Sequence, residues 1–178
     1  MRALYTLTIL AMTLTTLTNP TSDSTTNQVI DQFQIVGISV RVTNGHDDAI
    51  KLIEGLWGRF WAEDIKNKVP NKLSDEIYAV YTNYVSDYTE EYTMIIGMPV
   101  STLDDIPEGY EGITIEKATY KKYVSKGKMP EAVVKTWMEI WQNDKTLNRA
   151  YKADFTVHGK KYYDGDNAEV ETFISLKE

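Results

Sequence analysis

The chain has no cysteine among its 178 residues. Disulfides, thiolate metal sites and a cysteine nucleophile are therefore excluded, and cysteine usage says nothing about the redox compartment. Positive charge is also short: 19 Lys and Arg stand against 26 Asp and Glu, giving a net charge of −7 and a pI near 4.9. That balance argues against a general nucleic-acid-binding surface. There is no H-E-x-x-H helix, no phosphate-cradling glycine-rich loop and no nucleophile elbow. Long hydrophobic runs are missing too, apart from Ala3 to Leu17 near the start, which is too short and too rich in Thr for a transmembrane helix. In "MRALYTLTILAMTLTTLTNP" one Arg precedes the apolar run and a polar exit follows it. This order reads as a secretory signal peptide, with "TSDSTTNQ" as a Ser/Thr-rich linker. Residues 1–27 are set apart on this reading, and the expected location is periplasmic or extracellular; without a signal it is cytoplasmic.

What remains, residues 28–178, is long enough to bury its own core as one domain or two fused halves. "QFQIVGISVRV" (32–42) is rich in β-branched residues and reads as a strand. "TNGHDD" breaks it and offers Asn44 and Asp47 as caps for a helix over 49–62, with Ile50, Ile53, Leu56, Trp57 and Phe60 as its apolar face. "EIYAVYTNYV" (76–85) alternates as a half-buried strand, Tyr78 and Tyr84 on one side and Tyr81 on the other, and "EYTMIIGMPV" (91–100) is its partner. The order then starts again. "GITIEKATYKKYV" (112–124) reads as one strand, followed by Pro130 at a first helical turn and a helix over 132–144 that carries Val133, Val134, Trp137, Ile140 and Trp141. "ADFTVHG" and "AEVETFISL" give two more strands around "YYDGDN", where D-G signals a hairpin rather than a calcium loop. The expected fold is α+β: two strand–helix–strand–strand units, about 30–101 and 110–177, forming one antiparallel sheet with two main helices on one face.

All four tryptophans fall in "LWGRFW" and "TWMEIW", as W-x-x-x-W at corresponding places in the two units. Residues four apart share a helix face, so each pair presents two indoles one turn apart. Core packing accounts for any one of them. Four on two related helices are equally suited to flank a planar guest.

"LWGRF", "IYAVYTNYVSD" with "EYTMIIG", "KGKMPEAVVKTWMEIW" and "RAYKADF" resemble, in order and spacing, the GyrI-like small-molecule-binding family. This is the AraC-type effector-binding domain, and the match is to its stand-alone, integron-associated branch. The resemblance implies an aromatic cleft between the two helices for a small lipophilic, often cationic, aromatic ligand. It places Trp57, Tyr81, Tyr92, Trp137 and Trp141 at family aromatic positions. The family pattern D-F-E-x-Y is altered here to "DFTVH", with Thr156 in the Glu place and His158 in the Tyr place. Glu171 occupies a position that is often acidic in the family and is the candidate to substitute for the lost Glu. Because a buried cation needs an opposing charge, the ligand expected is neutral or weakly cationic.

Two alternatives stay open. In one, Glu171 or His158 guides a water in hydrolysis of a reactive small molecule. In the other, the groove receives a side chain of a partner protein. His46, in the turn before the first helix, reads as a capping or solvent-facing residue. No cofactor or metal is expected. Nucleic acid is not expected to bind directly, so a regulatory role needs a partner protein or ligand sequestration; a homodimer is a separate expectation.

Overall fold

The structure, a computed structural model, describes residues 26–44 and 48–178. The expected signal peptide lies outside the described residues, as do His46 and Asp47. The last two residues of the expected linker, Thr26 and Asn27, belong to the first strand.

Eight strands form one sheet: β1 (Thr26–Ile30), β2 (Phe33–Thr43), β3 (Ile77–Thr82), β4 (Glu91–Val100), β5 (Glu111–Ile115), β6 (Ala118–Lys126), β7 (Ala153–His158) and β8 (Glu169–Ser175). The main helices are α1 (Ala49–Ala62) and α3 (Glu131–Gln142); α2 (Ile65–Lys68) and α4 (Asp144–Leu147) are single turns that follow them. The strand order is β1-β6-β8-β7-β3-β4-β2-β5, antiparallel throughout. This is the expected α+β class; in chain order two strands precede each helix pair and two follow it, where strand–helix–strand–strand was expected.

The two ends of this order are joined through the chain. β1 runs into β2 across Asp31 and Gln32, and β5 runs into β6 across Glu116 and Lys117. One register carries through both junctions, from Thr26↔Lys122 to Ile30↔Ala118 and on from Phe33↔Ile115 to Gly37↔Glu111. A single long ladder therefore bends in the middle, where Lys117 pairs with Asp31 at 2.7 Å, and the sheet curls on itself. Residues 112–124, expected as one strand, are split by this bend. Curling also demands close approach of β2 and β4: Gly37 lies opposite Gly97, and a Cβ on Gly37 would sit 2.1 Å from the Ile96 carbonyl oxygen.

The curl gives the sheet two buried faces. One holds Ile35, Val80, Ile95, Ile115, Tyr120, Phe155 and Phe173. The other carries the helices. Leu56 and Phe60 of α1 pack over Val36, Ile38, Tyr92, Met94 and Ile96, and Trp137 and Ile140 of α3 pack over Tyr123 and Ile174.

Several local expectations are corrected. Ile50 is 69 % exposed and Val134 53 %, so the buried stripe runs instead through Ala49, Leu56 and Phe60 in α1 and Thr136, Trp137 and Ile140 in α3. Thr136 is buried because its hydroxyl shares a 2.7 Å hydrogen bond with Ser125. Pro130 stands at the N-cap of α3, one place before the first turn. Asn44 does not cap α1, whose N-cap is Asp48 without a side-chain bond; its amide donates to the Tyr88 carbonyl and accepts from the Tyr92 hydroxyl, both at 2.8 Å. "YYDGDN" is not a tight hairpin. Two 3-10 turns, Lys160–Tyr163 and Gly165–Asn167, connect β7 to β8, and Tyr162 anchors the first by packing on His158.

Candidate functional site

The helices divide the sheet unequally. α1 packs on β2 and β4, whereas α3 packs on β6. Between them lie β8, β7 and β3. Strands are spaced about 4.8 Å apart, so these three strands span roughly 15 Å along the sheet, against a helix diameter of about 10 Å. A strip of sheet thus remains between them, to be covered by side chains alone.

Its floor is made of small residues. Register places Thr172 of β8 beside Thr156 of β7, and Thr156 beside Ala79 of β3. The rings above them close the strip so fully that Thr156 and Ala79 are buried. On the α1 side, Trp57 meets His158 edge-on with ring centroids 5.0 Å apart. On the α3 side, Trp137 meets Tyr81 edge-on at 4.7 Å. Trp137 thus stands on a β3 ring as Trp57 stands on a β7 ring. Trp61 and Trp141 lie one turn further along, at 6.5 and 6.2 Å from their neighbours. Trp61 is 45 % exposed, while Trp141 stacks on Tyr88 with ring planes 9° apart.

Polar groups gather at Thr156. Its hydroxyl lies 3.0 Å from His158 Nε2. The imidazole is buried among rings and aliphatic strand residues, and that burial pushes its pKa down to about 4, so it is neutral at physiological pH. Burial likewise pushes the Tyr81 phenol up to about 12, while the adjacent Thr156 hydroxyl and Trp137 indole act in the opposite direction. Trp137 Nε1, His158 Nδ1, Thr172 Oγ1 and, in the adjoining network, Arg149 Nε are buried without hydrogen bonds of good geometry.

A charged network borders this region. Asp154, next to Tyr81 in register, accepts from Arg149 Nη2 at 2.6 Å and from the Tyr84 hydroxyl at 3.0 Å. Its other oxygen accepts from the Ser175 N–H at 2.7 Å and the Ser175 hydroxyl at 2.9 Å. Arg149 also donates to Asp144 at 3.0 Å. Burial opposes the Arg149 charge, but Asp154 and its other partners outweigh that and raise its pKa. Burial, reinforced by Asp154, holds the Tyr84 phenol well above its usual value. Tyr84 is on the helix side with Tyr81, not opposite it, because Asn83 adopts a left-handed backbone (φ 51°) after β3 ends and turns the chain.

The structure therefore brings Trp57, Tyr81, Tyr92, Trp137, Trp141, Thr156 and His158 to the helix side of the sheet. It does not bring Glu171 there. Val157 faces Glu171 in register and Thr156 faces Thr172, so strand alternation puts Glu171 on the far side with Phe155 and Phe173. It pairs with Lys122 there and lines a separate pocket of about 410 Å³ with Tyr78, Phe155 and Val157. Glu171 can neither replace a groove carboxylate nor orient His158. Sequence reading missed Thr172, Ala79 and the Arg149–Asp154 pair. The period-two pattern of "AEVETFISL" already separates Thr172 from Glu171, but only pairing with β7 reveals which of them faces the helices.

Residues 28–176 match the family described as Cass2, integron-associated effector binding protein. YobU of Bacillus subtilis (strain 168), named as a candidate transcriptional regulator, is 28 % identical over 151 residues, covering 83 % of this chain and 94 % of YobU. An integron cassette protein from the mobile metagenome of Vibrio cholerae shares the fold, with a TM-score of 0.69 and 24 % identity over 87 % of this chain and 97 % of that one. So does SAV2435, whose structure is bound to tetraphenylphosphonium, with a TM-score of 0.72 and 18 % identity over 86 % of this chain and 94 % of that one.

Proposed function

This chain belongs to the Cass2 family of integron-associated effector binding proteins, and from that premise we propose that the strip between α1 and α3 binds a small lipophilic aromatic molecule. The observation that carries this reading is the pair of indole-on-ring contacts, Trp57 with His158 and Trp137 with Tyr81, above a floor of Thr156, Ala79 and Thr172. Effector binding is the family's description, and a protein of the same fold holds an aromatic cation. Both support an aromatic guest here.

The energetics favour a guest that resembles the rings it moves. Each aromatic contact is worth about 0.5–1.5 kcal/mol beyond its buried area. A planar molecule that enters between Trp57 and Trp137 exchanges ring–ring contacts for ring–guest contacts at little net cost. The surplus comes from its own apolar surface, at about 25 cal/mol per Å² removed from water. A regulatory output would pass to a partner protein or act by sequestration.

The test is a titration of tryptophan emission with a panel of neutral and cationic aromatics. Saturable quenching that disappears in Trp137→Ala is expected. Unchanged emission across the panel would return the tryptophans to a packing role.

A further inference from the structure

The groove's own polar atoms narrow the ligand class, an inference that rests on the binding role proposed above. His158 Nδ1 and Thr172 Oγ1 are each buried with no hydrogen-bond partner, and Trp137 Nε1, which lies against the Tyr81 phenol, makes no hydrogen bond of good geometry; the three residues are 6 %, 0 % and 8 % exposed. Native proteins leave few buried polar atoms unpaired, because each loses its water without compensation. These three are grouped around one residue. Thr172 is the cross-strand neighbour of Thr156, His158 touches the Thr156 hydroxyl through its other nitrogen, and Trp137 lies on Tyr81, whose phenol sits beside Thr156.

Charge decides what would complete them. Among β3, β7 and β8, the carboxylate on the helix side is Asp154, and both its oxygens are already taken by Arg149, Tyr84 and Ser175. Glu169 and Glu171 alternate to the far face, with Val170 and Thr172 between them on this one. The strand floor therefore offers a cation no free counter-charge. An anion would fare no better, since the Arg149 charge is already balanced by Asp154 and Asp144, although its Nε has no partner. An indole N–H only donates, a threonine hydroxyl donates or accepts, and the free nitrogen of a neutral histidine follows its tautomer.

We infer that Trp137 Nε1, Thr172 Oγ1 and His158 Nδ1 form a subsite for an uncharged hydrogen-bond acceptor on the aromatic ligand, such as a ketone, amide or quinone oxygen. The tryptophan donates, the threonine donates or relays, and the histidine adopts the tautomer that the guest requires. The subsite distinguishes ligands of one shape by whether they carry the oxygen.

Isothermal titration of the full chain with benzophenone, diphenylmethane and tetraphenylphosphonium tests this. The first two share their rings and differ by the carbonyl. Benzophenone is expected to bind about three- to tenfold tighter than diphenylmethane, the range of one ordinary hydrogen bond. Trp137→Phe, which keeps a ring and removes the N–H, should bring that ratio toward one, whatever the smaller ring does to the affinity for both compounds alike. Thr172→Val should reduce it in the same way with its volume preserved. Thr156→Glu should shift preference toward the phosphonium. Equal binding of benzophenone and diphenylmethane by the unaltered protein would overturn the subsite and leave the aromatic groove standing, as would tighter binding of the phosphonium. Binding of none of the three, with unchanged tryptophan emission, would overturn both.

Discussion

Acidification tests whether His158 is held neutral under the aromatic lid. Burial lowers its pKa from 6.5 to about 4. Between those values the unfolded chain takes up a proton that the folded protein refuses. The unfolded state then binds more protons, so stability falls as pH drops from 6.5 toward 4. Above 6.5 both states carry a neutral imidazole, and His158 adds no pH dependence. With about 1.4 kcal/mol for each pH unit, the loss reaches about 3 kcal/mol at pH 4, a large share of a typical domain's stability. Carboxylates titrate nearby, so the informative quantity is the difference between the unaltered protein and His158→Gln, which keeps a polar partner for Thr156 and does not titrate. Urea unfolding followed by tryptophan emission, from about pH 8 to pH 4, measures it. The two stability curves should converge by about 3 kcal/mol on acidification. Curves that stay parallel would mean that the imidazole ionises freely in the folded protein.

Other substitutions probe the frame around the site. Gly37→Ala forces a Cβ to within 2.1 Å of the Ile96 carbonyl and 2.5 Å of Gly97 Cα, backbone atoms that cannot rotate away. A loss of about 3 kcal/mol in urea unfolding is expected, and an unchanged midpoint would mean that β2 and β4 have slack. Arg149→Met leaves Asp154 buried without its cation and should cost about 3–5 kcal/mol, with partial recovery when Asp154→Leu is added; equal stability of the single variant would show that water reaches Asp154. Glu171→Gln should leave affinity for any groove ligand unchanged in calorimetry, because its side chain is on the opposite face. A marked loss would place Glu171 in the site after all.

The elements were largely legible because their periodicity is local. α1 at Ala49–Ala62 and β4 at Glu91–Val100 fall at their expected positions, since apolar spacing at 3.6 and 2.0 residues is written along the chain. The bend at Glu116–Lys117 was not legible, because nothing between Ile115 and Ala118 breaks a strand; it exists because β1–β2 bends beside it, and that is a long-range fact. Among site residues, spacing on each helix paired the tryptophans but did not say that Trp57 would find His158 and Trp137 would find Tyr81. Glu171 shows the limit most clearly. It is one residue from Thr172, and only the register of β8 on β7 decides which of them meets the helices. The buried Arg149–Asp154 pair had no local signal, since each residue alone reads as ordinary surface charge.

The groove is tested most directly by the indole N–H resonances of the protein in solution. Four tryptophans give four such signals, assignable through single Trp→Phe variants. On titration with benzophenone, binding between α1 and α3 requires the Trp57 and Trp137 signals to move together and saturate at one stoichiometry. The signal of exposed Trp61 should move least. Four signals that stay fixed, or movement of Trp61 alone, would contradict an aromatic site between the helices.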